Sequence, residues 1–153
     1  MPGIIVGIDG SVYSRRALEW AISEAAIRRT PLTVLTVQQA IAQHWTQDAD
    51  LAEHASKAAQ EETDSVLDEL DAEPRPPSVS VQALVGLPAE QILSAAQGAD
   101  MIVVGSRGAG GYKKLLMGSV SLQVTHHAHC PVVVIPATPE PAPAHPAPAV
   151  PAP

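Results

Sequence analysis

Four short aliphatic-rich runs constrain this chain most: Gly3 to Ile8, Leu32 to Val37, Met101 to Val104 and Val132 to Ile135. A strand with one face in water alternates apolar and polar residues. A run that does not alternate is buried on both faces, which is the condition of a strand inside a parallel sheet. The core built by such strands is aliphatic, and the composition agrees: the chain is 46% hydrophobic, only 3% aromatic, and has no Phe.

Between these runs the period changes. Asp9-Gly-Ser11 breaks the first run, and Ser11 or Ser14 caps a helix. Leu18, Ala21, Ile22 and Ala25 fall on one face of that helix, and Arg28 and Arg29 suit the negative end of its dipole before Pro31 stops it. Residues 38–50 read as polar and irregular. A longer helix is expected from about Leu51 to Leu70, with Ala55, Ala58, Ala59, Val66, Leu67 and Leu70 at helical spacing. Its acids Glu61, Glu62, Asp64, Asp68 and Glu69 read as a solvated face. Glu73-Pro-Arg-Pro-Pro77 is a stiff connector, and Val79 to Val85 then alternates with period two, as an edge strand does. Gly86-Leu-Pro88 opens a short helix containing Ile92 and Leu93, and Val120 to His127 reads as another. Strand and helix alternate throughout. The expected fold is α/β: an open five-stranded parallel sheet, order 3-2-1-4-5, with right-handed crossovers and helices on both faces.

At 153 residues the chain fits one domain, taken as residues 1–135. Residues 136–153 form a Pro/Ala-rich tail with eight prolines, for which polyproline II or disorder is expected. The formal net charge of -7 argues against general affinity for nucleic acid and against a polybasic membrane contact. No basic or long apolar leader precedes Ile4, no stretch approaches a membrane span, and there is one Cys. A cytoplasmic location is expected.

Chemistry concentrates after the fourth run, in Gly105-Ser-Arg-Gly108 and, nine residues later, Gly118-Ser-Val-Ser121. Glycines let the backbone approach a ligand closely. The Gly118-Ser119 step opens a helix whose first N–H groups and dipole attract an anion. Ser119 and Ser121 add hydroxyl donors, and Arg107 adds a cation suited to phosphate. The segment lies at the carboxyl edge of the sheet near the switch between strands one and four, where open α/β sheets bind ligands. Asp9 ends the first run on the same edge, placed to accept from a ribose hydroxyl or to help hold Mg²⁺. A phosphate-bearing ligand is the expectation.

Gly105-x2-Gly108-x9-Gly118-Ser119 resembles the ATP-binding signature of the universal stress protein family. The opening Ile-Val-Gly-Ile-Asp-Gly-Ser, the Val-Val-Gly-Ser-Arg-Gly stretch and the closing Cys-Pro-Val-Val-Val-Ile-Pro are similar as well, so the likeness covers residues 3–136. It implies a Rossmann-like fold and commonly a homodimer. It implies that Asp9 is the family's Asp after strand one, and that Val37 packs on and hydrogen-bonds adenine through its backbone. Val104, Gly105, Arg107 and Gly108 would surround ribose and phosphates, and Gly118, Ser119, Val120 and Ser121 would form the phosphate-binding turn. Gly7 and Ile8 lie beside the nucleotide in the same mapping. An apolar fifth strand at an open edge, with no blunting charge or bulge, independently predicts an isologous homodimer through Val132 to Ile135.

Other features read more plainly. His126, His127, His129 and Cys130 have metal-ligand chemistry, but neighbours on a helix diverge by about 100° and do not readily share an ion. Cys130 reads as a small structural hydrophobe, and Trp20 and Trp45 as packing residues. Lys113 and Lys114 either reach phosphates or form a solvated turn. No G-x-G-x-x-G follows the first strand, which excludes a dinucleotide dehydrogenase, and no Asp follows the third, which excludes a phosphoacceptor receiver. Two readings stay open. One is a regulator of stress or energy state that binds ATP with Mg²⁺, shifts conformation and signals to a downstream protein. The other is a slow Mg²⁺-dependent ATPase, although no G-x-x-x-x-G-K-[ST] sequence is present. AMP and cyclic AMP remain alternative ligands.

Overall fold

The computed structural model describes residues 3–39, 45–70, 74–108 and 117–136. Nine elements follow in order: β1 (Ile4–Ile8), α1 (Val12–Arg28), β2 (Leu32–Gln38), α2 (Trp45–Leu70), β3 (Val79–Val85), α3 (Pro88–Ala95), β4 (Met101–Gly105), α4 (Ser119–His127) and β5 (Val132–Ile135). The strands form one parallel sheet in the order β3-β2-β1-β4-β5, as the alternation of runs and helices predicts. Lys113, Lys114, His44 and the 137–153 part of the tail lie outside the described residues, as does the middle of the Gly105–Gly118 connection.

Each central strand divides its residues between two cores. Ile4, Val6 and Ile8 of β1 and Met101 and Val103 of β4 pack with Leu18, Ala21, Ile22 and Ala25 of α1 and with Ala59 and Val66 of α2. Ile5, Ile102 and Val104 turn the other way, onto Ala89 and Ile92 of α3 and Val124 of α4. Burial on both faces explains why these strands do not alternate. Strand β3 alternates partly buried and exposed residues and lies at the edge.

One helix start decides between two expected caps, and another lies earlier than expected. Ser11, not Ser14, is the N-cap of α1, its side chain accepting the Ser14 N–H at 3.2 Å. Helix α2 begins at Trp45, six residues before the expected Leu51. Residues 45–50 carry no apolar stripe in the sequence, so periodicity does not register them. Helix α1 closes on Arg29, which adopts a left-handed conformation (φ 54°) rather than ending on glycine. Arg28 pairs back to Glu24 at 2.6 Å.

Candidate functional site

The carboxyl edge of the sheet opens into a cleft of about 500 Å³ between the ends of β1 and β4, where the connections leave toward opposite faces. Gly7, Ile8 and Asp9 line it from the end of β1, and Val37 from the end of β2. Val104, Gly105, Arg107 and Gly108 line it from β4, and Gly118, Ser119, Val120 and Ser121 from the start of α4. All twelve residues picked out from the sequence therefore meet around one space. Five more complete the wall: Ser14, Leu35, Gln39, Pro88 and Ile92.

One end of the cleft is built for an anion. Gly118 is the N-cap of α4, and among the described residues no side-chain hydrogen bond caps that helix. The first intrahelical bond runs from Leu122 N–H to the Gly118 carbonyl, so the N–H groups of Ser119, Val120 and Ser121 precede it. The Ser106 carbonyl fixes this turn, accepting from the Gly118 N–H at 2.5 Å and the Ser121 hydroxyl at 3.1 Å. Ser121 also points its hydroxyl at the Gly118 carbonyl, 2.9 Å away. Its one hydroxyl proton is thus directed to backbone carbonyls. Ser121 fastens the helix start, while Ser119 is exposed toward the cleft.

The other end is apolar. Leu35 and Val104 rise from the sheet, and Pro88 and Ile92, one turn apart on α3, face them. Gly7 makes this close approach possible, because a methyl group there would stand 3.0 Å from Ile92 Cδ1. The rim of this apolar end is backbone. Strand β1 reaches only to the Ile8–Thr36 rung, while β2 continues to Gln38 beside β3. The Gln38 carbonyl accepts from Gly86 N–H on the β3 side, at 2.8 Å. In a trans peptide C=O and N–H oppose each other, so the Gln39 N–H turns to the cleft. By the alternation of a parallel ladder, the Val37 carbonyl turns the same way. An acceptor and a donor two residues apart therefore border the apolar end.

Asp9 stands between the two ends. Its Oδ1 accepts the Ser11 N–H at 2.9 Å, and its Oδ2 lies where a side chain on Gly108 would otherwise be, 2.7 Å from that position. A second carboxylate shares its field. Burial holds Glu62 of α2 above the usual carboxylate range; the nearby Arg15 charge opposes this and the Asp9 charge adds to it. The sequence places Glu62 on a solvated face, since nothing in a helical pattern marks which acid is partly buried. Arg15 ties α1 to α2 through Glu69 at 2.8 Å, and its own affinity for a proton rises, chiefly through that bond.

The histidines do not converge. His126 and His127 meet edge-on with ring centroids 5.0 Å apart, and among the described residues no group of three or more His, Cys, Asp or Glu is arranged to hold a metal ion. Cys130 is half-buried, and burial pushes its thiol up, with Asp100 adding, which keeps it protonated. No described helix is long and apolar enough to cross a membrane.

Comparison with known proteins adds to this geometry. The model of the universal stress protein family matches residues 2–136. A universal stress protein of Mycobacterium tuberculosis is 33% identical over 154 residues, covering 90% of this chain and 49% of that protein. One of Mycolicibacterium smegmatis is 31% identical over 139 residues, covering 87% of this chain and 47% of that protein. The chain spans about half the length of the curated relatives it matches. Among solved structures, the universal stress protein UspA of Lactobacillus plantarum superposes with a TM-score of 0.70 at 27% identity, covering 88% of this chain and 97% of that one. A universal stress protein in complex with cAMP gives 0.69 at 23% identity, over 90% of this chain and 98% of that one. The Archaeoglobus fulgidus protein in complex with dAMP gives 0.64 at 24%, over 88% and 98%. At these identities the last two likenesses are likenesses of fold.

Proposed function

The chain belongs to the universal stress protein family, and from that premise we propose that it is an adenine-nucleotide-binding regulatory protein. The observation that carries the reading is the uncapped start of α4, opening into a cleft whose opposite end is apolar and edged by an acceptor–donor pair. Phosphate sits at the helix N-terminus, where N–H groups and dipole favour negative charge. The base lies between Leu35, Val104, Pro88 and Ile92. Adenine offers an exocyclic amine donor beside a ring-nitrogen acceptor, the complement of the Val37 carbonyl and Gln39 N–H. Guanine offers a carbonyl and a ring N–H there, the reverse pattern. The cAMP and dAMP complexes of fold neighbours support the same ligand class.

ATP is the preferred ligand within that class. The residues also fit a Mg²⁺ ion: Asp9 is a carboxylate at the phosphate side, and Mg²⁺ is commonly held by one or two carboxylates together with substrate phosphates. When bound, the ion would neutralise phosphate charge. The regulatory mechanism is a population shift, in which ligand bridges the β1, β4 and α4 connections and changes what the protein presents to a partner. We further propose a cytoplasmic homodimer joined through β5; light scattering at micromolar concentration that reports a monomer overturns the dimer.

The test of the main reading is to denature the purified protein, identify any released nucleotide by chromatography, and titrate the stripped, refolded protein calorimetrically with ATP, AMP and cyclic AMP. Saturable binding of an adenine nucleotide is expected. A protein that carries none and binds none refutes the proposal.

A further inference from the structure

Ser14 is buried, only 4% exposed, yet it borders the cleft. Its hydroxyl accepts the Asp9 N–H at 3.2 Å and donates to the Ser11 carbonyl at 3.2 Å. The Ser11 N–H donates in turn to Asp9 Oδ1 at 2.9 Å, and the Ser11 hydroxyl accepts the Ser14 N–H at 3.2 Å. Asp9, Ser11 and Ser14 thus close a ring of bonds. Ser14 holds the Asp9 backbone and Ser11 holds its carboxylate. On the other side, the missing side chain of Gly108 leaves the space that Asp9 Oδ2 occupies, 2.7 Å from where a Cβ would stand.

The start of α1 does not require all of this. The Ser11 hydroxyl alone supplies an N-cap. What the Ser14 hydroxyl adds is a fixed backbone position for Asp9, whose side chain is exposed at the cleft. A carboxylate has about four acceptor sites, so the bond from Ser11 does not exhaust it. A hydroxyl donating to a carboxylate makes a short, strong bond with a narrow range of distance, so placement by a few tenths of an ångström matters.

We propose that Ser14 is a positioning residue: it sets Asp9, across the space left by Gly108, to accept a ribose hydroxyl of the bound nucleotide. The proposal rests on the nucleotide-binding reading above. Ser14 makes no ligand contact in this scheme. It acts through Asp9.

The experiment compares calorimetric affinities for AMP, 2′-deoxy-AMP and 3′-deoxy-AMP in the wild type and in Ser14→Ala, Ser11→Ala and Gly108→Ala. The wild type is expected to prefer AMP over one of the deoxy analogues by about 10-fold or more, the worth of a hydrogen bond to a charged group. Ser14→Ala reduces that preference to about threefold or less while binding the deoxy analogue within about twofold of wild type, because only the hydroxyl contact is lost. Ser11→Ala removes the helix cap but keeps the backbone N–H on Asp9, so it loses stability and retains the preference. A role confined to the helix start would make the two serine variants behave alike. Gly108→Ala reaches the same carboxylate from the β4 side and reduces the preference whether or not Ser14→Ala folds. An undiminished preference in a folded Ser14→Ala, an undiminished preference in Gly108→Ala, or a wild type that binds all three nucleotides equally, overturns the inference alone. A wild type that binds none of them overturns it together with the nucleotide-binding reading.

Discussion

Replacing Gly118 by alanine separates a glycine required by the ligand from one required by the fold. Among the described residues, a Cβ at position 118 would meet nothing closer than Ser106 O at 3.5 Å, Arg107 Cα at 3.6 Å and Gly108 N at 3.7 Å, all ordinary van der Waals contacts. The backbone there, φ −75° and ψ 167°, is open to any L-residue. The fold therefore tolerates the methyl group. Its cost is limited to the poorer N-cap preference of alanine, about 1 kcal/mol, or a fall in Tm of about 2–6 °C for a domain of this size. The bound state is different. The new methyl stands between the start of α4 and the Arg107–Gly108 backbone, in the space an anion enters to reach both. Losing one such charge-assisted hydrogen bond costs about 1.5–3 kcal/mol, so affinity for AMP or ATP falls by about 10- to 100-fold. Thermal unfolding followed by circular dichroism reads the first effect and titration calorimetry the second. Wild-type affinity in Gly118→Ala would mean that phosphate does not approach this helix. A collapse of the fold would mean that the steric argument is wrong.

Three further outcomes follow from the same geometry. Gly105→Ala should behave in the opposite way: its Cβ would press on backbone, Tyr13 O at 3.1 Å and Arg107 O at 3.2 Å, so urea unfolding should show a loss of about 1–3 kcal/mol before any ligand is added. Glu62→Gln tests the inward-turned carboxylate. Because its folded-state pKa is raised, Glu62 favours the fold fully below its unfolded pKa and loses that contribution as pH rises through the folded value. Glu62→Gln should therefore be more stable than wild type at neutral pH and lose that advantage in acid; an equal difference at both pH values would show the side chain to be solvated. Base selection follows from the Val37 carbonyl and Gln39 N–H: AMP should bind at least about 30-fold more tightly than GMP, since guanine leaves donor facing donor. Equal calorimetric affinities would remove the strand edge from base recognition.

The fold was legible because its decisive strands are buried twice over. Ile4, Ile5 and Val6 turn alternately to the two cores, so no polar residue interrupts the run. Strand β3 has a neighbour on one side only and alternates partly buried with exposed residues over Val79 to Ala83, the pattern of an edge. What periodicity could not supply was anything that depends on backbone detail. Ser11 and Ser14 both sit where a cap hydroxyl belongs, and only the extended conformation of Ser11, φ −78° and ψ 160°, decides between them. Arg29 was readable as a cation at the end of a helix dipole. That it also takes the left-handed cap position, at a cost of about 1 kcal/mol for a residue with a Cβ, was not readable.

The two ends of the cleft differ in legibility for a physical reason. An anion is held by backbone N–H groups, and backbone approach is governed by glycine spacing, which is local in sequence; Gly105, Gly108 and Gly118 declare it in a few residues. A base is held by apolar surface, which any core residue can supply. Ile92 was visible as the apolar face of a short helix, and it is that: 4% exposed and packed with Leu35 and Val104. It is also a cleft wall, and no sequence pattern distinguishes the two duties because one side chain performs both. Pro88 is likewise readable as the first residue of a helix, and Gln39 only as part of a polar, irregular segment after the second strand. Only the strand order, which brings β2 and α3 beside β1, places these three around the same cleft as Gly7. Glycine spacing therefore makes a candidate phosphate end readable from sequence, whereas any choice of base would depend on contacts that exist only once the sheet has formed.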